Sequence, residues 1–176
     1  MRHRWLNYLV VGALFGVFDF FYLHVLGKFP ARQIFGDSPT GQAARFIVMF
    51  LLLNLGIWLV VVIPVVLHET RVSRSKLLSA VAGLAVWCTG ILTYYLTNAA
   101  QLAVGVPGRE ELSFASYGSP YFWQNWGNIF RSDILGGIME YMAIAIVGGA
   151  LVGFVASAIY IRSYPQGLRI GRTSLH

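Results

Sequence analysis

Four stretches of this chain are each long and apolar enough to cross the hydrocarbon core of a bilayer, and nothing else in the sequence restricts its fold as strongly. They run over about residues 5–26, 46–67, 77–104 and 134–160. A helix needs about 20 mostly apolar residues to cross a core roughly 30 Å thick. No water is available there, so every backbone N–H and C=O must be paired within the protein, and α-helices do this segment by segment. Composition agrees: 57% of the residues are hydrophobic and 11% charged, against about 25% charged in a soluble domain. The expected fold class is all-α, a polytopic membrane protein built as a four-transmembrane-helix bundle. It forms one domain over residues 1–162, followed by a basic cytoplasmic tail over 163–176. The first stretch reads as a retained span. It is too long for a signal-peptide core, Asp19 interrupts it, and no small-residue cleavage motif follows.

Turn residues mark the joints. Gly27, Pro30, Gly36, Pro39 and Gly41 fill the first, the second is short and basic, and the third opens on Gly105-Val106-Pro107-Gly108. The net charge of +6 comes from Lys and Arg in loops and tails. They lack the aromatic-and-basic interleaving of a nucleic-acid surface, so no nucleic-acid partner is expected; membrane lipid headgroups are the expected contact. Eight of the 13 Lys and Arg lie on the side of the termini and middle joint (Arg2, Arg4, Arg71, Arg74, Lys76, Arg162, Arg169, Arg172). That bias places both termini in the cytoplasm of a multi-pass cell-membrane protein. The lone cysteine, Cys88, forms no intrachain disulfide and reads as a small buried residue.

The third joint carries Tyr117, Tyr121, Phe122, Trp123, Trp126 and Phe130 within fourteen residues. Such rings favour headgroup depth, so this outer loop is expected to be interfacial or re-entrant. The alternatives are a lid over a site between the helices and a patch that meets a partner.

Ionisable side chains at membrane depth cost about 2.5–3.5 kcal/mol, so Asp19 and Glu140 are the leading candidates for function. Each lies some six or seven residues inside the outer end of its span, roughly 10 Å down at about 1.5 Å per residue. Tyr94, Asn98 and Gln101 of the third span fall near the same depth. Gly12, Gly16 and Asp19 share a stripe, and the two glycines allow a neighbouring backbone to come close. In the fourth span Asp133, Gly137 and Glu140 share one face, with Gly149, Gly153 and Ser157 on roughly the opposite one. Small residues on two faces suggest that one side packs on another subunit or a second copy. His24 lies five residues after Asp19, off its face, and reads as an interfacial histidine. Asn54 reads as an interhelical hydrogen-bonding group. Pro64 is expected to kink its helix and free a carbonyl. His68 and Glu69 read as an exposed helix-end pair.

A cluster of Asp19, Tyr94, Asn98, Gln101 and Glu140 supports three kinds of chemistry. A desolvated carboxyl can exchange protons during transport. Two carboxylates with amide oxygens suit a hard divalent cation, for which Asp19 and Glu140 are the candidate ligands. Buried hydrogen bonds can also simply fix helix packing. The preferred function is therefore non-enzymatic: binding or passing a small solute or ion through this outer-leaflet cluster, or serving as the membrane subunit of a larger complex. The alternative is an intramembrane enzyme, metal-dependent in one version, acting on a lipid, quinone or other apolar substrate. No nucleotide-binding glycine loop, nucleophile elbow or H-E-x-x-H motif is present in the sequence.

Overall fold

The computed structural model describes residues 2–164; the expected basic tail from residue 165 onward lies outside the described residues. Helix α1 spans Arg2–Leu26, and a five-residue helix, α2, covers Ala31–Phe35. Helix α3 then runs over Pro39–Ser73, α4 over Lys76–Val104 and α5 over Phe122–Ser163. Two 3₁₀ turns, Glu110–Leu112 and Phe114–Ser116, lie between α4 and α5. There is no strand among the described residues. α1, α3, α4 and α5 are each long and apolar enough to cross a membrane, so the all-helical, four-span expectation holds at that level.

The helix ends follow from local chemistry. The Ser38 hydroxyl accepts from the Gly41 N–H at 3.1 Å while Pro39 occupies the first turn of α3, where its missing N–H costs nothing. α3 ends at Arg74, which adopts a left-handed backbone (φ 52°). Ser75 caps α4 by accepting from the Leu78 N–H at 3.3 Å. Across this tight turn the Thr70 and Ser79 hydroxyls share a hydrogen bond of 2.8 Å. Two stretches are wound as π-helix, with i→i+5 bonding: Phe46–Leu55 in α3 and Phe130–Leu135 in α5. Their position was not legible in the sequence. Pro64 lies within α3 and the helix continues past it.

α4 is the centre of the bundle. The most apolar window of α4 is 44% buried, against 22%, 11% and 22% for α1, α3 and α5, and each of those three packs on α4. Between membrane helices the hydrophobic effect gives little drive, so close packing must hold them. Small residues provide it. A Cβ on Gly12 or Gly16 of α1 would run into the Val86 or Gly90 carbonyl of α4. The Thr93 hydroxyl, at the same crossing, donates to the Ala13 carbonyl at 3.1 Å. On the other side, a Cβ on Gly149 would stand 2.9 Å from the Leu84 Cα, and one on Gly153 2.6 Å from the Ala80 Cα. A Cβ on Gly137 of α5 would run into the Tyr95 ring of α4. Gly137, Gly149 and Gly153 of α5 thus all approach α4, while Asp133 and Glu140 are exposed. The reason is that α4 is lined with Ser79, Ala80, Ala82, Gly83 and Gly90 and accepts close neighbours along most of its length.

The outward faces are apolar, with Leu14, Phe18, Val60, Val147 and Ile159 all exposed. In the third joint Phe122, Leu112 and Ile134 are fully buried, and the Trp126 indole donates to the Leu112 carbonyl at 2.7 Å. Tyr117, Tyr121 and Trp123 point outward.

Candidate functional site

One cavity of about 60 Å³ is lined by side chains from all four long helices. α1 contributes Asp19 and Leu23, α3 contributes Asn54, Leu55 and Trp58, α4 contributes Trp87, Ile91, Tyr94 and Tyr95, and α5 contributes Tyr141 and Ile144. A site that holds one water needs on the order of 10–15 Å³, so this one has room for several waters or a small solute.

Asp19 is 2% exposed, and its Oδ1 is buried without a hydrogen-bond partner. No cationic side chain pairs with it among the described residues. Aromatic rings make up most of the wall. Trp58 and Trp87 stack nearly parallel, with centroids 5.7 Å apart and planes 11° apart. Tyr94 meets Tyr95 edge-on at 5.1 Å, and Tyr95 meets Tyr141 at 6.3 Å. Towards the end of the bundle that holds the N terminus, Phe15 stands edge-on to Trp58 at 4.9 Å, and Val62, Val66 and Val86 are fully buried. That apolar layer closes the cavity on one side. On the other side Leu23 and Asn54 also line an open groove of about 320 Å³ with Leu26, Gly27, Met49 and Phe50. The groove runs between the end of α1 and the π-helical part of α3, which has no buried residue.

Of the residues singled out from sequence, Asp19, Asn54 and Tyr94 line the cavity. Asn98 and Gln101 are half-buried further along α4 and do not line it. Glu140 is exposed on α5. Inward positions on that helix repeat at Gly137, Tyr141, Ala145 and Gly149, and Glu140 is one residue off this stripe, about 100° around a helix of 3.6 residues per turn. Glu140 is thus not among the residues that line the cavity with Asp19. No group of three or more His, Cys, Asp and Glu side chains is placed to hold a metal ion among the described residues. His24 is exposed, and no residue of the aromatic joint is among those that line the cavity.

A second buried carboxylate lies at the opposite end of the bundle, where sequence reasoning placed an exposed pair. Glu69 is fully buried. Its Oε2 accepts from the Tyr8 hydroxyl at 3.0 Å and stands 3.3 Å from Arg4 Nε, while Oε1 and the Arg4 Nε–H have no hydrogen-bond partner. Tyr8 also bonds His68 Nδ1 at 2.8 Å. A hydroxyl has a single proton, so when Tyr8 gives it to Glu69, His68 Nδ1–H must be the donor of the second bond. The correction has a simple cause: α3 continues to Ser73, so Glu69 sits a full turn inside the helix and faces the first turns of α1. One signal was available. Consecutive antiparallel spans bring the start of the first level with the end of the second, which sets Arg4 opposite Glu69.

No family model matches this chain, and no curated protein or solved structure matches it.

Proposed function

We propose that this is a multi-pass membrane protein, with both termini cytoplasmic, that binds and passes a small solute without catalysing a reaction. The carrying observation is the cavity itself. Side chains from all four spans surround it, Asp19, with one buried oxygen unpaired, lines it, and an open groove shares Leu23 and Asn54 with it. An unpaired buried polar group costs about 1–3 kcal/mol; Glu69 Oε1 is unpaired too, but it has the Arg4 guanidinium nearby, whereas Asp19 has no cation among the described residues and keeps its hydrogen-bonding capacity beside a cavity. Here that capacity is left for something that enters. Beside Asp19 the cavity holds no second carboxyl, histidine or cysteine, which favours binding over catalysis.

The test uses protein purified in mild detergent. Low-mass material released by heat is identified by mass spectrometry from wild type, from Asp19→Asn and from Ile91→Trp, which fills the cavity. Wild type should release a solute in stoichiometric amount, and both variants, folded by thermal scan, should release none. The same release from all three would sink the proposal.

A further inference from the structure

We infer that the ligand of this cavity is a small organic ammonium ion carrying apolar substituents. The inference rests on the solute-binding reading above and names its chemical class.

Charge comes first. The cavity holds one carboxyl, Asp19, with no cationic side chain paired to it among the described residues. An ionised carboxylate in a water-poor site is stabilised by an opposite charge, and the chain supplies such a charge to Glu69 but not to Asp19. One carboxylate balances one positive charge.

The walls decide which cation. A hard divalent ion takes about six to eight oxygen ligands, and beside Asp19 the cavity offers only the Asn54 carboxamide and tyrosine hydroxyls. Its larger surfaces are indole and phenol rings. Ring faces attract cations that are weakly hydrated and can shed water, which describes an alkylammonium group better than an alkali-metal ion. Trp58, whose indole reaches the Asp19 carboxyl, and Trp87, stacked on it, line the cavity with Tyr94, Tyr95 and Tyr141, so most of the wall around the carboxyl is aromatic.

The route in agrees. The groove that shares Leu23 and Asn54 with the cavity is walled by Leu26, Met49 and Phe50. A bare metal ion gains nothing from such a path, whereas a cation with methyl or longer alkyl substituents partitions along it. Arg45 borders a wider groove beyond and not the cavity itself, so the positive side chain stays clear of the carboxylate.

The experiment is a binding titration of detergent-purified full-length chain with three probes: trimethylammonium, its neutral near-isostere tert-butanol, and K⁺ alone. Trimethylammonium should bind saturably. Asp19→Asn should weaken it about 10–100-fold, Trp87→Leu should weaken it about 3–30-fold, and Asp19→Glu, which keeps the charge, should hold most of the affinity. Equal binding of tert-butanol, indifferent to Asp19→Asn, overturns the cation class and leaves the solute-binding reading standing. Tighter binding of K⁺ than of trimethylammonium overturns the organic class. If no probe binds while wild type still releases its own solute on heating, this inference falls alone; if it releases none either, both readings fall.

Discussion

Asp19 and Glu69 are both buried carboxyls at helix–helix contacts, yet their surroundings differ in one respect. Around Glu69 the chain provides a guanidinium, a phenol and, through it, an imidazole, all from the facing turns of α1 and α3. Around Asp19 it provides aromatic rings, space and, among the described residues, no cation. Glu69 therefore reads as a structural lock that ties the start of α1 to the end of α3. Asp19 is a carboxyl with no counter-charge among the described residues. The contrast shows that burial alone does not distinguish a lock from a site; what the chain supplies to the buried charge does.

The contrast can be broken by removing partners, and the largest effect is expected at the lock. Arg4→Ala leaves Glu69 buried without its cation, and breaking one partner of a buried pair costs about 3–5 kcal/mol. Chemical unfolding in detergent should show this loss. Tyr8→Phe removes one hydrogen bond to a charged acceptor and should cost about 1.5–3 kcal/mol in the same assay. By contrast Asp19→Asn should change stability by less than about 1 kcal/mol, because an uncompensated carboxyl is replaced by an amide of the same shape. A loss at Asp19→Asn as large as that at Arg4→Ala would erase the distinction.

The same comparison explains what the sequence could and could not reveal. Hydropathy located the four spans because the membrane demands length and apolarity and little else. Counting residues from the span ends put Asp19 and Tyr94 at one level, since rise per residue is nearly constant. Azimuth was harder. The shared face of Asp133, Gly137 and Glu140 was extrapolated on 3.6 residues per turn, but α5 is π-wound over Phe130–Leu135 and its inward stripe passes through Tyr141. Trp58, Trp87, Tyr95 and Tyr141 were not singled out, because an aromatic ring within an apolar span carries no mark of facing a cavity. Glu69 was misplaced because hydropathy falls off before its helix ends.

The smallest expected effect lies outside both carboxyl sites and sets the scale for an exposed one. Glu110, in the joint before α5, accepts from the Gly108 N–H at 3.0 Å, and this bond holds its carboxyl below the usual glutamate value. A lowered native value means that the stabilisation is present above the ordinary pKa of about 4.5 and fades as pH falls through the lowered one. The Tm difference between wild type and Glu110→Gln should accordingly be small at pH 6 and shrink further by about pH 3. A difference that grows on acidification would contradict the assignment.

The account's central claim is that Asp19 is open to a small cation while Glu69 is closed by the chain, and carbodiimide labelling tests it most directly. An apolar carbodiimide reaches carboxyls from within the bilayer, and mass spectrometry locates the adduct. The account predicts modification at Asp19 that trimethylammonium slows, with Glu69 unmodified. Preferential modification of Glu69, or labelling of Asp19 that trimethylammonium does not slow, would contradict it.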